Sequence, residues 1–212
     1  MDIGIELSLK DILTQTDPHV NAIKHFYFNY LAKPHPNLGR SGAICPFVPL
    51  ALKFEKISTL LIDSKATAQQ VKTILAEKSA FMETKTKDSA FVLFLPHFTP
   101  KEIDDIQIEL KPSFVAKGLM IGEFHLLNKT PGIHNPSFFP LRSELPCLAI
   151  RHMVREDLPF MLKKSYTVKQ TIIFLLYYLK KFPEEICAPT YRWIFLPTLF
   201  IFLAIIVAIK FG

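Results

Sequence analysis

Cysteine is scarce in this chain of 212 residues: Cys45, Cys147 and Cys187 are odd in number and widely spaced. No CxxC pair occurs, so neither a disulfide framework nor a paired-thiol metal site is suggested, and a reducing compartment is the simpler reading. HExxH and HxH are also missing, which disfavours the common zinc sites and leaves a mononuclear site from Glu123, His125 and His134 resting on spacing alone. Seven glycines are few, and none forms a glycine-rich phosphate loop after a strand. Repeats and low-complexity tracts are lacking. Residues 1–14 carry Asp2 and Glu6 and no continuous apolar core, unlike a secretory signal.

What the chain has in excess is apolar residues, half of the total, with a net charge of +6. Lys163, Lys164, Lys169, Lys180, Lys181 and Arg192 crowd the approach to the C-terminus. No stripe of basic residues interleaved with aromatics suggests a nucleic-acid partner. From Ile194 to Ile209 the sequence is IFLPTLFIFLAIIVAI, uncharged and bordered by Trp193 and Lys210. As a helix it would cover roughly 24 Å, slightly less than the bilayer core of about 30 Å. Trp193 at the interface and a snorkelling Lys210 would make up the difference. The expectation is a transmembrane anchor over 193–210, a linker over 183–192 and a cytoplasmic domain over 1–182, held at a membrane in a single pass.

Within the domain, helical spacing of Val71, Ile74, Leu75 and Lys78 predicts a helix over 66–81. AFVLFL (90–95) reads as a buried strand ended by Pro96. Thr99-Pro100-Lys101-Glu102 reads as a capping box with proline in the first turn. The helix after it runs through Ile103, Ile106, Leu110 and Phe114 to Gly118, with a kink or break expected at Pro112. Ile106-Ile108-Leu110 as a strand is the rival pattern. LMIGEF (119–124) and CLAIRHM (147–153) read as strands separated by a long loop, and closing helices begin at Asp157, with IIFLLYYL (172–179) in the last. The fold class expected is α+β or α/β, a single domain with a small sheet.

Two segments look unlike scaffold. PHPNLGRSGAICPFVPL (34–50) holds four prolines and two glycines together with His35, Arg40 and Cys45. GEFHLLNKTPGIHNPSFFPLRSELPCLAIRHMVR (122–155) supplies His125, His134, His152, Arg142, Arg151 and Arg155. A long loop rich in His, Arg and Asn between strands is a common way to build a site. His125 directly follows a strand and can point from its end into a pocket, or be a hydrogen-bonded loop residue. His134-Asn135-Pro136 is either functional or a turn. Arg142 and Arg151 hint at an anionic ligand, or at structural pairing with Glu144 or Glu123. Cys45 is either a thiol nucleophile, which would need an activating base, or a packed side chain behind Pro46.

GRSGAICPFVPLAL (39–52) and GLMIGEFHLLNKTPGIHNPSFFPLRSELPCLAIRHMVREDLPFML (118–162) resemble an uncharacterised bacterial domain family. Its members carry a Gly-Arg-x-Gly-x-x-Cys-Pro-Phe segment and a GxFH…HNPxFxPLRSxxPxLAIRHMV block. The order Cys-Pro-Phe, phenylalanine-rich strand, then a strand ending in histidine is also similar to the YqcI/YcgG-type family, which includes haem-dependent N-hydroxylases. There the strand ends Gly-x-His-Pro, whereas here Gly122-Glu123-Phe124-His125 is followed by Leu126. That second resemblance implies a haem-dependent oxygenase of a small amine or guanidino metabolite. His125 would be the iron ligand, Arg142 and Arg151 the propionate or anion partners, and Cys45 and His134 the catalytic candidates. The alternatives are a non-catalytic ligand-binding adaptor at the membrane and a Cys45-dependent transferase.

Overall fold

The three apolar runs AFVLF, LMIGEF and CLAIRH become neighbouring strands of one sheet. The computed structural model describes residues 3–62, 64–163 and 166–187. Two units are distinguished, Met1–Met153 and Val154–Gly212. The first holds a sheet of five strands, β1 (Ile5–Leu7), β2 (Ile57–Leu61), β3 (Ala90–Phe94), β4 (Leu119–Phe124) and β5 (Cys147–His152), in the order β1-β2-β3-β5-β4. β2 and β3 are parallel, and β5 is antiparallel to both β3 and β4. β2, β3 and β4 therefore share one direction, and their carboxyl ends lie at one edge of the sheet beside the start of β5. β1 closes the other side, antiparallel to β2.

Helices α4 (Ala68–Glu83) and α5 (Pro100–Ala116) are the crossovers from β2 to β3 and from β3 to β4. Strand alternation sends Leu60, Phe91, Leu93, Ile121, Leu148 and Ile150 to the face packed by Val71, Leu75, Ile103, Ile106 and Phe114 of these helices. The opposite side chains, Leu61, Val92, Phe94, Phe124 and Cys147, pack against the N-terminal helical region. That region comprises α1 (Leu9–Thr14), α2 (Pro18–Lys24), a π-helix (His25–Leu31) and α3 (Val48–Lys53). Both faces of the sheet are covered, which is why β3 reads as a continuous apolar run rather than an alternating one.

Both crossover helices start where capping boxes place them. Thr67 accepts from the Gln70 N–H and Thr99 from the Glu102 N–H, and each Gln or Glu side chain reaches back to the cap residue. α5 runs through Pro112 to Ala116 rather than breaking there. The missing proline N–H orphans the carbonyl of Ile108. Ile108 lies on the exposed face of the helix, where water can serve that carbonyl, while buried Phe114 and Val115 hold the final turn. The rival strand over 106–110 is thereby excluded.

In the second unit, α6 (Leu158–Met161) and α7 (Val168–Lys181) come after a 3-10 turn at Arg155–Asp157. α7 contains the predicted IIFLLYYL run and is capped by Thr167. Tyr178 donates to the carbonyl of Arg155 at 2.9 Å, and Arg155 pairs with Glu184 and Glu185.

One element of the expected fold class is corrected. Among the described residues no helix is long and apolar enough to cross a membrane. The segment 193–210, on which the anchor expectation rested, lies outside the described residues. The longest described apolar run, in α7, is flanked by Lys169, Lys180 and Lys181 and is too short to span a bilayer core of about 30 Å. The transmembrane helix and the single-pass membrane localisation derived from it are therefore not carried forward.

Candidate functional site

His125 is the first residue past β4, and strand alternation turns its ring toward the face covered by α5. The first turns of α5 lie at the same sheet edge, because the helix leaves the carboxyl end of β3. There the His125 Nε2 lies 3.0 Å from Oδ1 of Asp104. The imidazole is buried, with its residue 2% exposed, whereas the Asp104 side chain is 46% exposed. A carboxylate only accepts hydrogen bonds, so Nε2 carries a hydrogen, and in the neutral ring Nδ1 then holds the lone pair. That Nδ1 is buried and has no hydrogen-bond partner. Among the described residues it is the one side-chain nitrogen or oxygen in that condition.

The loop after His125 folds back on it. The Asn128 N–H donates to the His125 carbonyl at 3.1 Å, and the His125 N–H donates to the Leu141 carbonyl at 3.3 Å. Asn128 is buried, donates through Nδ2 to the Glu123 carbonyl at 3.1 Å and accepts from the Thr130 N–H at 2.8 Å. Its own carbonyl accepts from Nε of Arg142 at 3.1 Å. The Arg142 guanidinium lies over the Phe139 ring, 4.3 Å from its centroid. Arg142 is exposed, and its Nη groups make no hydrogen bond among the described residues. Tyr30, in the π-helix, donates to the Pro140 carbonyl at 3.1 Å. Burial pushes the Tyr30 phenol up, and the nearby Arg142 charge opposes that shift.

The two segments that stood out in the sequence meet here. Asn135 Nδ2 donates to the Asn37 carbonyl at 2.8 Å, and the His35 ring stacks on Phe138 with centroids 4.4 Å apart. Gly39, at φ +78°, packs so closely that a Cβ there would lie 2.6 Å from the His134 carbonyl oxygen. Arg40 holds its own loop by donating to the carbonyls of Ser41, Ala43 and Ile44. His134 contributes its backbone to this junction, and its ring is exposed.

Arg151 and Cys45 sit elsewhere. In the β4–β5 register Arg151 is opposite Met120, which places it roughly 16 Å along the strand from His125 at about 3.3 Å per residue. Its guanidinium is 5.7 Å from the Phe47 ring centroid and donates to the His152 carbonyl. Cys45 is half-buried and packed against the apolar cluster on the sheet face that α5 does not cover. Its backbone N–H donates to the Leu31 carbonyl. On the same face, burial raises the thiol of Cys147 well above its ordinary value, which leaves that side chain protonated and inert.

Asp104 and Asn128 are the site residues that sequence reasoning missed. The capping box at Thr99 located the first turn of α5, but nothing in the sequence says which strand end that turn faces.

The residues do not fit haem. An axial histidine must present a nitrogen to iron above an open face. In His125, Nε2 is committed to Asp104 and Nδ1 is buried. Arg151, the second expected propionate partner, is on a distant part of the sheet. Among the described residues no group of three or more His, Cys, Asp or Glu side chains is placed to hold a metal ion. The expectation of haem-dependent oxidoreductase chemistry finds no support in these residues.

No curated protein and no solved structure is significantly similar to the chain. A family model described as a domain of unknown function, DUF6875, matches residues 20–191. That span includes the π-helix, the whole His125–Arg142 loop and both segments that meet at the site, and the chain belongs to this family.

Proposed function

We propose that this protein is a small-molecule enzyme whose acid–base centre is the His125–Asp104 pair at the carboxyl edge of the parallel strands. The observation that carries this reading is the buried, unpartnered Nδ1 of an imidazole whose Nε2 is held by a carboxylate. A buried polar atom without a partner destabilises a fold by about 1–3 kcal/mol. Such an atom is therefore expected where a ligand supplies the missing partner. Nδ1 offers a lone pair, so its partner is an N–H or O–H. In proton transfer the ligand's X–H bond breaks, its electron pair stays on X, and the proton forms an N–H bond at Nδ1. The imidazolium that results is stabilised through Nε2–H by Asp104, which also fixes the ring orientation. The carboxyl ends of parallel strands are where open α/β sheets bind ligands, a fold-level analogy that agrees with this placement.

The test is the histidine tautomer, read by 15N NMR of the full chain at neutral pH. The expected result is a His125 ring protonated at Nε2 and bare at Nδ1. In parallel, the chain is incubated in D2O with a panel of small metabolites bearing acidic N–H, O–H or C–H bonds. At least one is expected to be converted or deuterated by the wild type and not by His125→Asn. A ring protonated at Nδ1, or conversion unchanged in the variant, overturns the reading. A bare Nδ1 that tightens on ligand addition without any conversion would instead make the site a binding module, and the enzyme assignment would fall.

A further inference from the structure

Proton transfer at Nδ1 concerns one atom of the ligand and leaves open what kind of molecule is held there. Arg142 supplies that information, in a role that rests on the acid–base reading of His125. Arginine is recruited to anions because its planar fork donates two parallel hydrogen bonds to a carboxylate or phosphate. Its usual handicap is the entropy of a long side chain. Here that freedom is already removed. Nε is tied to the Asn128 carbonyl, and the plane rests on Phe139. The two Nη groups, at the far end of the fork, make no hydrogen bond among the described residues.

The anchor is itself buried structure. Asn128 is 3% exposed and is held by the Glu123 carbonyl on one side and the Thr130 N–H on the other. The Leu141 carbonyl, directly before Arg142, accepts from the backbone of His125. Guanidinium and imidazole are thus set by one hydrogen-bonded loop. Arg40 is the contrasting case, since its Nη groups are consumed by three carbonyls of its own loop.

We infer that Arg142 is the anion-recognition residue of this site, and that the ligand is a small carboxylate or phosphate that also offers an N–H or O–H to Nδ1 of His125. Arg142 touches the charged end and His125 the reacting end. The phenol of Tyr30, raised by burial, stays protonated beside the guanidinium and introduces no competing charge.

The experiment titrates the full chain with inorganic phosphate and, separately, with acetate, followed by ligand-observed NMR. The variants are Arg142→Gln and Arg142→Lys. Arg142 is exposed, so its variants are expected to keep the wild-type unfolding midpoint. Binding of one or both probes is expected, weakened about tenfold or more in Arg142→Gln, the loss of a charge-assisted pair. Arg142→Lys should fall between, since it keeps the charge and loses the fork. Preference for phosphate or for acetate assigns the anion. No binding of either probe at about 50 mM, where a millimolar interaction saturates, overturns the inference, as does equal binding in Arg142→Gln. Neither result touches the tautomer measurement, so the two readings fail separately.

Discussion

His125 and Asp104, twenty-one positions apart in sequence, are joined side chain to side chain at 3.0 Å. The contact ties the end of β4 to the first turns of the helix that precedes it. It closes the β3–α5–β4 crossover at the carboxyl edge of the sheet. Because the histidine is buried and the aspartate half-exposed, the aspartate is the member of the pair that solvent can reach.

That asymmetry sets the order of the stability effects. Asp104→Ala leaves both ring nitrogens of a buried imidazole without partners and should destabilise by about 1–3 kcal/mol. Asp104→Asn keeps a carbonyl acceptor and should lose roughly 1 kcal/mol or less. His125→Leu removes the donor and the orphaned Nδ1 together, and should cost less than Asp104→Ala. Urea midpoints at neutral pH rank the three. Equal midpoints for Asp104→Ala and wild type would mean the contact holds nothing together.

Gly39 is where the two site segments touch most closely. It combines a left-handed backbone, φ +78°, with a neighbouring carbonyl 2.6 Å from where a Cβ would stand. The conformation alone disfavours an L residue by roughly 1–2 kcal/mol, and the obstacle is backbone rather than a yielding side chain. Gly39→Ala should therefore destabilise by about 2 kcal/mol or more. Amide hydrogen exchange should quicken first over 34–44 and 128–142. Uniform loss of protection across the sheet instead would show that the junction is not a separate unit.

The parts of the fold legible in the sequence were those whose signal is local. β3 is an unbroken apolar run, β4 and β5 are largely apolar ones, α4 announces itself through the helical spacing of Val71, Ile74 and Leu75, and α5 through the capping box at Thr99. β2 went unread because Ser58 and Thr59 interrupt ISTLL, and because Thr59 is buried against the Tyr27 hydroxyl, 2.9 Å away, a contact no pattern reveals. The π-helix at His25–Leu31 has no sequence signature of its own. His125 and Arg142 stood out as a strand-end histidine and a loop arginine. Their partners did not, since Asp104 reads as an exposed helical acid and Asn128 as an ordinary loop residue. Arg151 was grouped with Arg142 by residue type. Pairing β5 antiparallel between β3 and β4 carries it to the far end of the strand, and that pairing is a property of topology.

Glu55 offers a test of strain at the end of α3. The Lys56 N–H donates to the Ala51 carbonyl at 2.7 Å and the Glu55 N–H to the Leu52 carbonyl at 3.2 Å. This is the Schellman closure, whose C′ residue takes a left-handed conformation and is usually glycine. Glu55, at φ 52°, is the non-glycine residue that occupies it. Glu55→Gly should raise stability by about 0.5–1 kcal/mol, read as a higher urea midpoint with an unchanged slope. A fall would mean that the carboxylate makes an interaction worth more than the strain.

The capping box that positions Asp104 should leave a mark on the acid limb of stability. Thr99 donates its N–H and its hydroxyl to the Glu102 carboxylate, at 2.8 Å each. The backbone donation first, then the hydroxyl, holds that carboxyl below its ordinary value of 4.5. The folded state thus prefers the ionised form more than the unfolded chain does. Its contribution is fully present above the ordinary value and is lost as pH falls through the lower folded value. Glu102→Gln preserves a capping acceptor but cannot titrate. The stability difference between wild type and Glu102→Gln should therefore be constant from neutral pH to about pH 5 and shrink below it. Urea midpoints measured at three pH values across this range would show it. A difference that stayed flat into acid would place the Glu102 carboxyl outside the cap in solution, and the start of α5, with Asp104 on it, would then be held by the Thr99 hydroxyl cap and the packing of Ile103 and Ile106.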